Sequence, residues 1–517
     1  MINFFNKRFF IIFLFPLILG GITVLGFQPF NYFFVNFISL PLFFLSALYV
    51  KKKSKSIYRK KPFLKNLFIL GTSYGFGFFF FGIFWISNSL TFDDSYKFLI
   101  PFSLLLIPLF LSLFFSLPVI FIGNYIERDI SSVILMILTF SISDFLRSKI
   151  LTGFPWNIWS YSFVWSIESL QILNIIGLFA FNLLIITIFF LPVILFIKNK
   201  TKFFILSFVI ILVFSNYFYG SFKLNSITDK KDFKNINFKI VSAGMSLSDF
   251  KNEMATAKNL IKYSNPDTKK KTIFVWPEGV FLSNNLNNKT EIKDLFSKNF
   301  SENHLIIFGA NTKNESSKDT EYFNSMLIVD KKFNIISKYD KQKLVPFGEF
   351  LPFESFLKVF GLKKITPGYS SFSKGKTEAV IDLKFNSENL KVLPLICYEI
   401  IFPNMIDIRD EFNVIVNISE DAWFGESIGP HQHFAKAIFR AIESETYIIR
   451  SANKGISAFI SPQGKIIKSL QPNEIGNIEF AVPIIKKSKK LLKNDLIFLI
   501  LLITYIFTFL VLRRFKN

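Results

Sequence analysis

Runs of apolar residues long enough to cross a bilayer restrict the fold of this chain more than any other feature. A helix needs about 20 predominantly apolar residues to span the hydrocarbon core, and eight runs approach or reach that length: 9–26, 32–50, 66–88, 98–123, 130–147, 171–197, 203–219 and 494–513. No small-residue cleavage site follows the first run, so we interpret it as a membrane helix and not as a secretory signal. The sequence predicts a membrane α-helical bundle of about eight spans, with seven in residues 1–220 and one, with a cytoplasmic tail, in residues 491–517.

The basic residues indicate how this bundle is oriented. Segment 51–61 carries seven Lys or Arg residues, and loops rich in these residues stay on the cytoplasmic side of a membrane. Counting spans from this segment places residues 221–490 outside the cytoplasm. One feature opposes this orientation, namely five lysines on the outer side just before the last span: Lys486, Lys487, Lys489, Lys490 and Lys493. We interpret them as contacts to lipid headgroups.

The formal net charge of +23 would suggest nucleic-acid binding in a soluble protein. The basic residues, however, lie largely in short runs beside apolar stretches, such as 51–53 and 513–514. This placement fits membrane orientation better than a nucleic-acid groove. We therefore do not expect nucleic acid among the partners.

Polar and aromatic residues interrupt the apolar spans in one region. Asp144, Arg147 and Glu168 lie near predicted span ends, where charged side chains can reach the interface by snorkelling. The stretch 152–157 combines helix breakers with tryptophan. We interpret it as an aromatic belt at the membrane surface, and the alternative is a mouth through which lipid enters.

From about residue 221 onward, short β-type runs alternate with amphipathic helical segments. Predicted strands lie at 238–241, 272–276, 305–309, 326–329, 392–396, 414–418, 448–451 and 458–461, and predicted helices at 249–263, 290–299, 399–411 and 430–446. This alternation is typical of an α/β domain in which helices cover layered sheets. Residues 221–490 are numerous enough for one such core.

Three reactive side chains follow β-type runs of this domain: Glu278, Lys341 and Cys397. α/β folds collect catalytic groups at the C-terminal ends of strands. A carboxylate can accept the proton of a thiol, and a helix N-terminus after Cys397 would favour the thiolate. An ammonium can stabilise the oxyanion of a tetrahedral intermediate. Taken singly, each residue also has an ordinary interpretation, as a buried core cysteine or a surface charge.

Metal chemistry is not predicted. The single cysteine excludes an intrachain disulfide and a multi-thiolate metal site. His431 and His433 are two residues apart and cannot share a helix face, while His304 opens a predicted strand.

The order Glu–Lys–Cys, in the contexts WPEG (276–279), YDKQKLVPFGEFLP (339–352) and ICYE (396–399), resembles the nitrilase superfamily. Within it, the chain is similar to the apolipoprotein N-acyltransferases. The further motifs are GFQPF (26–30), GFGFFFFGIFW (75–85), TGFPWN (152–157), DAWFGESIGPHQH (421–433) and RSANKGIS (450–457). The resemblance extends over nearly the whole chain and implies a nitrilase-like αββα sandwich for residues 221–490.

The resemblance also implies roles for individual residues. It makes Glu278 the general base, Lys341 the lysine that stabilises the oxyanion, and Cys397 the nucleophile. Further residues match supporting or substrate-binding positions of the family: Glu349, Tyr398, Glu399 and Trp423. For Glu399 the alternative is a carboxylate in the first turn of a helix, and for Trp423 it is simple packing. Two places depart from the family pattern, Glu420, where an asparagine is frequent, and the first strand end at 241–244.

The activity implied is transfer of a fatty acyl chain from a phospholipid, through a Cys397 thioester, to the N-terminal α-amine of diacylglyceryl-cysteine on an apolipoprotein. The resemblance places the protein in the bacterial inner membrane, with its catalytic domain on the periplasmic side and no cofactor. Nothing in the sequence calls for a partner subunit, so we expect a monomer. Two alternatives remain: a membrane-tethered nitrilase-type hydrolase, and a non-enzymatic membrane scaffold with an inert cysteine.

Overall fold

The chain folds into two compact units, Met1–Ser226 with Leu492–Asn517, and Ile227–Leu491. We call them the membrane unit and the α/β unit. The computed structural model describes residues 7–56, 58, 60–197, 202–225, 234–283, 290–315, 320–352, 371–376, 380–385, 388–406, 411–485 and 494–514. The five lysines before the last span lie outside the described residues.

The membrane unit is a bundle of apolar helices. Within the described residues, seven helical stretches are long and apolar enough to cross a membrane, and a shorter one precedes them. The shorter one is α1 (Phe10–Gly26), and the long ones are α2 (Phe33–Lys53), α3 (Phe63–Thr91), α4 (Asp94–Ile122), α5 (Ile130–Arg147), α6 (Leu173–Leu195), α7 (Lys202–Asn225) and a C-terminal helix (Asn494–Arg514). The predicted helical bundle is confirmed, and the chain is a multi-pass membrane protein.

Glycines let α1 and α3 approach closely. A β-carbon on Gly20 would collide with the carbonyl oxygen of Tyr74, and one on Gly77 would collide with the carbonyl oxygen of Leu17. Small residues at helix interfaces permit such backbone contact in membranes, where dispersion forces must replace the hydrophobic effect between helices.

A buried charge pair stabilises the chain after α5. Arg147 Nη2 lies 2.8 Å from Asp144 Oδ1, and Asn182 Nδ2 donates to Asp144 Oδ2 at 2.9 Å. Arg147 Nη1 donates to the carbonyl oxygen of Phe154 at 2.8 Å. Both charged residues are under 10% exposed, so the prediction that they snorkel to the interface is wrong. They pair with each other, and Arg147 also donates to a backbone carbonyl group, because an unpaired charge is costly inside the protein.

The tryptophans of the same region are packed inside the membrane unit. Trp156 and Trp159 are each 1% exposed, and Trp159 stacks on Phe78 of α3 with ring centroids 5.4 Å apart. The interpretation of 152–157 as an aromatic belt at the membrane surface is therefore wrong for Trp156, and Trp159, just beyond that stretch, is buried to the same extent. Only packing against other helices explains such complete burial of large rings.

The α/β unit contains two six-stranded sheets, with strand orders β12-β1-β2-β3-β4-β5 and β11-β10-β9-β8-β7-β6. The strands are β1 (Asn235–Ser242), β2 (Thr272–Val275), β3 (His304–Glu315), β4 (Thr320–Val329), β5 (Ile335–Asp340), β6 (Ile381–Phe385), β7 (Glu388–Ile396), β8 (Val414–Glu420), β9 (Tyr447–Asn453), β10 (Ser457–Ile460), β11 (Ile466–Leu470) and β12 (Gly476–Pro483). In each sheet three central strands are parallel, β1-β2-β3 and β9-β8-β7, and antiparallel strands flank them.

The two sheets share one apolar core, and helices cover their outer faces. Side chains from both sheets form a single buried cluster, which includes Phe238, Ile307, Val416 and Phe459. On the first sheet, α8 (Glu253–Ser264) and α9 (Thr290–Asn299) pack over a second cluster around Trp276. On the other sheet, α10 (Gly429–Ser444) contacts β9 and β10. The predicted αββα sandwich is confirmed.

One predicted helix is wrong. Residues 397–401 and 403–405 form two short 3₁₀ turns, Cys397–Ile401 and Pro403–Met405, in place of an α-helix from 399 to 411; residues 407–410 lie outside the described residues. Pro403 has no N–H to donate to a helical hydrogen bond and therefore prevents a regular helix at this point.

Candidate active site

The three predicted reactive residues all follow strands of the α/β unit. Glu278 lies three residues after β2, Lys341 directly follows β5, and Cys397 directly follows β7. The first two strands belong to one sheet and the third to the other. Because the sheets face each other across a common core, residues from three distant parts of the sequence come together at strand ends.

Lys341 is the centre of a buried ionic cluster. Its Nζ lies 2.9 Å from Glu349 Oε1 and 3.3 Å from Glu278 Oε1, and its side chain is 1% exposed. Asn324 Nδ2 donates to the same two carboxylate oxygens, at 2.8 Å and 2.7 Å. The sequence analysis assigned Glu278, Lys341 and Glu349 to one site. In the structure, Lys341 contacts both carboxylates directly. Asn324 was not predicted.

The second oxygen of each glutamate is held by the backbone. Glu278 Oε2 accepts the N–H of Glu420 at 2.9 Å, and Glu349 Oε2 accepts the N–H of Val345 at 2.8 Å. A β-carbon on Gly309 of β3 would lie 2.6 Å from the Glu278 α-carbon. Glycine at 309 therefore lets the segment that carries Glu278 lie directly against β3.

The electrostatics of this cluster keep Lys341 charged. Burial by itself lowers the pKa of the lysine, but the carboxylates of Glu278 and Glu349 outweigh it and hold the pKa well above its ordinary value. A buried ammonium with two anionic partners costs far less than an isolated one. Lys341 is therefore a permanent positive charge at neutral pH.

The Cys397 thiol, unlike the Lys341 ammonium, is held in its uncharged form. Burial raises its pKa well above 9.0, and the charge of Glu278 raises it further, while Lys341 and a hydrogen bond from Ser419 act in the other direction. The expectation that a helix N-terminus would favour the thiolate is wrong, since Cys397 opens a 3₁₀ turn of only five residues. The resting thiol is neutral and must lose its proton to a base in order to react.

The backbone at Cys397 is unusual for a residue with a side chain. Its φ is +48°, in the left-handed region that non-glycine residues seldom adopt. Such conformations cost roughly 1–3 kcal/mol and persist where the surroundings impose them, commonly at functional sites. The turn ends β7 abruptly and leaves the Cys397 residue half-buried.

Glu399 connects the segment that carries Lys341 with the segment that carries Cys397. Its Oε1 accepts the hydroxyl of Tyr339 at 3.0 Å and the N–H groups of Gln342 and Lys343 at 2.7 and 3.1 Å. Its Oε2 accepts the N–H of Ile396 at 2.8 Å. Burial raises the pKa of Glu399 to about 6. The carboxylate thus binds the segment beside Lys341 to the strand end beside Cys397, which is more than a first-turn carboxylate does.

The other two predicted residues are less closely involved. The ring of Tyr398 packs edge-on against Phe402, with centroids 5.1 Å apart. Trp423 is half-buried and lies on the short turn Asp421–Phe424 that follows β8. Their roles in binding stay predictions.

A second buried network, absent from the prediction, supports the cysteine. His433 Nε2 donates to the carbonyl oxygen of Cys397 at 3.2 Å, and its Nδ1 lies 3.0 Å from Asp421 Oδ1 and 3.1 Å from Arg450 Nη2. Arg450 Nη2 also contacts Asp421 Oδ2 at 2.8 Å, with both side chains fully buried. The motifs at 421–433 and 450–457 contain all three residues. A charged residue within a predicted strand, as at Arg450, was the available signal.

Burial and charge act against each other in this network. Burial lowers the pKa of His433, and Asp421 opposes this shift. Because a carbonyl oxygen can only accept, the contact with Cys397 requires a hydrogen on Nε2. Burial would raise the pKa of Asp421, but Arg450 and His433 outweigh it and lower that pKa to about 2. The imidazole therefore holds the Cys397 carbonyl in a fixed orientation.

Glu420 departs from the family pattern, and its side chain forms hydrogen bonds with Asn453. Asn453 Nδ2 donates to both of its carboxyl oxygens, at 2.9 and 3.0 Å. Burial raises its pKa well above the ordinary value. Only the backbone N–H of Glu420 reaches Glu278, so this support of Glu278 does not depend on the side chain at 420.

Comparison with known proteins links both units to one family. Residues 272–484 match the carbon-nitrogen hydrolase family and residues 19–191 match the apolipoprotein N-acyltransferase N-terminal domain. An apolipoprotein N-acyltransferase of Rhizobium leguminosarum bv. trifolii is 31% identical over 90% of this chain and 88% of its own length. Its counterpart in Rickettsia typhi is 31% identical over 86% of this chain and 88% of its own length. The crystal structure of Saccharomyces cerevisiae Nit3, of the nitrilase superfamily, aligns with 48% of this chain and 90% of that chain at 18% identity and a TM-score of 0.35.

The raised pKa of the thiol predicts how Cys397 reacts with iodoacetamide. Alkylation should be slow at pH 7 and should still accelerate as the pH rises past 9, because only the thiolate reacts. Glu278→Gln removes a negative charge beside the thiol, so it should lower the thiol pKa and speed alkylation at a given pH. The measurement is the pH profile of the alkylation rate, followed by intact mass. Glu291→Gln, on an exposed residue of α9, should leave the profile unchanged, and an upward shift in Glu278→Gln would contradict the assigned electrostatics.

His433 is predicted to act by positioning Cys397. His433→Ala should slow formation of any acyl-enzyme by about tenfold to a hundredfold, as expected when a reacting group moves by a fraction of an ångström. The KM for the acyl donor should hardly change, and His433→Gln, whose amide can donate to the same carbonyl, should recover part of the rate. His431→Ala is the matched control on the same helix. Equal losses in both alanine variants would rule out the positioning role.

Proposed function

The chain belongs to the apolipoprotein N-acyltransferase family, and we propose that it transfers a fatty acyl chain from a phospholipid to the N-terminal α-amine of diacylglyceryl-cysteine on apolipoproteins. Cys397 carries the chain as a thioester between the two half-reactions. The observation that carries this proposal is the buried ionic cluster of Lys341, Glu278 and Glu349, from which Lys341 and Glu278 act on the thiol of Cys397.

In the first half-reaction, Glu278 accepts the thiol proton and the sulfur of Cys397 attacks the ester carbonyl carbon of the phospholipid. The carbonyl oxygen becomes an oxyanion, which the Lys341 ammonium stabilises. The carbon–oxygen ester bond then breaks, and the departing lysophospholipid oxygen takes the proton from Glu278. A base is required here because the thiol is neutral at rest.

In the second half-reaction, the α-amine of the apolipoprotein attacks the thioester carbonyl. Glu278 takes a proton from the amine, and Lys341 stabilises a second oxyanion. The carbon–sulfur bond breaks, and the Cys397 thiolate recovers the proton, which leaves an amide and the resting enzyme. Such alternation predicts ping-pong kinetics.

The remaining site residues position these groups. Glu349 and Asn324 hold Lys341 and Glu278 in one geometry, and Glu399 joins the two segments on which Lys341 and Cys397 lie. We propose that Trp423 contacts substrate and that Tyr398 supports the turn at Cys397. No step requires a metal or an organic cofactor, and we propose that the protein acts as a monomer.

The two units fit the two lipid substrates. Residues 1–220 and 491–517 would give phospholipid and lipidated protein a common bilayer, and residues 221–490 would perform the chemistry. Segment 51–61, with seven basic residues, supports a cytoplasmic location for that loop. We therefore propose that the α/β unit faces the periplasm from the bacterial inner membrane.

The acyl-enzyme itself is the first prediction of this proposal. Purified protein incubated with phospholipid, without acceptor, should gain the mass of one fatty acyl chain, and Cys397→Ala should not. Adding a diacylglyceryl-cysteine peptide should discharge the adduct and yield acylated peptide. Intact-mass analysis measures both. Decay of the adduct at the same rate without peptide would indicate a hydrolase, and absence of any adduct would indicate a non-enzymatic protein.

The sidedness of the protein gives a second prediction. Cys397→Ala removes the only cysteine, so single cysteines can be introduced at exposed Ser248 in the α/β unit or at exposed Lys60. A membrane-impermeant maleimide added to spheroplasts should label Ser248→Cys and should label Lys60→Cys only after lysis. The opposite pattern would place the catalytic site in the cytoplasm and would exclude the proposed substrates.

A further inference from the structure

The membrane unit contains a pocket that shares no residue with the Cys397 site. Its volume is about 630 Å³, and its lining comes from three places, the start of α1, the end of α2 with the residues just after it, and the beginning of α3. Pockets of about 300–1,000 Å³ are the usual size for small-molecule ligands. The location at helix ends places this pocket at a bilayer surface.

The pocket is strongly cationic. Four basic side chains line it, Arg8, Lys53, Lys55 and Lys65, and no acidic residue does. Residues 1–92 contain no Asp or Glu at all, so this part of the chain provides no internal counter-charge. In the later loop before α5, Glu127 and Asp129 already lie within ion-pair distance of Arg513.

One of these cations is held in place by a buried amide. Arg8 Nη2 donates to Asn66 Oδ1 at 3.0 Å, and Asn66 Nδ2 donates to Ser54 Oγ at 2.7 Å. Asn66 is 6% exposed, so the contact orders Arg8 against α3 without neutralising its charge. The site is thus partly organised before any ligand binds, which lowers the entropic cost of binding.

Besides the polar Ser54, Ser56 and Asn66, the lining has an apolar part. Ile11, Ile12 and Val50 contribute to the pocket together with Tyr49 and Pro62. A ligand that matches this lining has an anionic group for the basic residues and hydrocarbon for the isoleucines and valine. A free inorganic anion would satisfy only the first requirement.

We propose that this pocket binds an anionic phospholipid, with the headgroup phosphate among Arg8, Lys53, Lys55 and Lys65 and the upper acyl chain against α1. Basic pockets between membrane helices on the cytoplasmic side bind phosphate-bearing headgroups in this way. The lipid acts as a structural ligand of α1, α2 and α3 and is not the acyl donor. The site goes beyond the proposed transferase activity and rests only on the proposed orientation of the membrane unit.

The test uses full-length protein in nanodiscs of phosphatidylcholine that contain a small fraction of phosphatidylglycerol with a photoreactive headgroup. Cross-links mapped by peptide mass spectrometry should fall on the pocket segments of the wild type. Lys53→Gln, Lys55→Gln and Lys65→Gln combined should weaken this labelling by roughly a hundredfold, since each cation near an anionic lipid contributes about a fivefold gain in binding.

The matched control combines Lys52→Gln, Lys60→Gln and Lys61→Gln, which removes the same charge from exposed lysines that do not line the pocket. Wild-type labelling in this control supports the proposal, and an equal loss in both triple variants overturns it, because the attraction would then be general surface charge. Labelling of the α/β unit is the internal reference for intact protein. Full suppression by inorganic phosphate, but not by chloride of equal ionic strength, would identify a soluble anion site and overturn the lipid assignment.

Discussion

The buried ammonium of Lys341 is the interaction on which the rest of the α/β unit depends. A charge that is 1% exposed persists only if other groups compensate for its lost hydration, and Glu278, Glu349 and Asn324 provide that compensation. These four residues come from four separate places in the chain, after β2, within β4, after β5 and in the following loop. The ionic cluster therefore requires β2, β4 and β5 to be in place within the first sheet. Glu399 links this cluster to the second sheet, because its carboxylate joins the Lys341 segment to the end of β7.

The requirement that a buried charge has compensating partners also explains two other charged clusters. Arg450 and Asp421 are fully buried as a pair beside His433, whose ring donates to the Cys397 carbonyl. In the membrane unit, Asp144 and Arg147 neutralise each other and secure the irregular segment after α5. In each case, removal of one partner would leave an uncompensated buried charge, which is far more costly than replacing both. Among the described residues that line the pocket at Arg8, none is acidic, and there we propose an external ligand as the counter-charge.

Prediction succeeded where a local pattern was sufficient. The spans follow from hydropathy alone, and most central strands, such as β7 and β8, follow from continuous apolar runs. The strands that were missed, β6, β11 and β12, lie at the sheet edges and include exposed positions, so their apolar pattern is weak. The helix predicted at 399–411 failed because Pro403 outweighs an otherwise helical composition. Glu399 was predicted, but its four hydrogen bonds from two segments could not be.

The sequence by itself determined the membrane spans, the α/β character of residues 221–490, and the identity of Glu278, Lys341 and Cys397 through their order and motifs. The tertiary structure decided which groups act on them. Asn324, His433 and Arg450 reach the site only through folding, and the turn at Cys397 takes its left-handed backbone from the contacts around it. The direction of the thiol pKa also reversed the expectation from sequence. The physical reason is that burial and charge interactions depend on distances through space, which neighbouring residues along a chain do not specify.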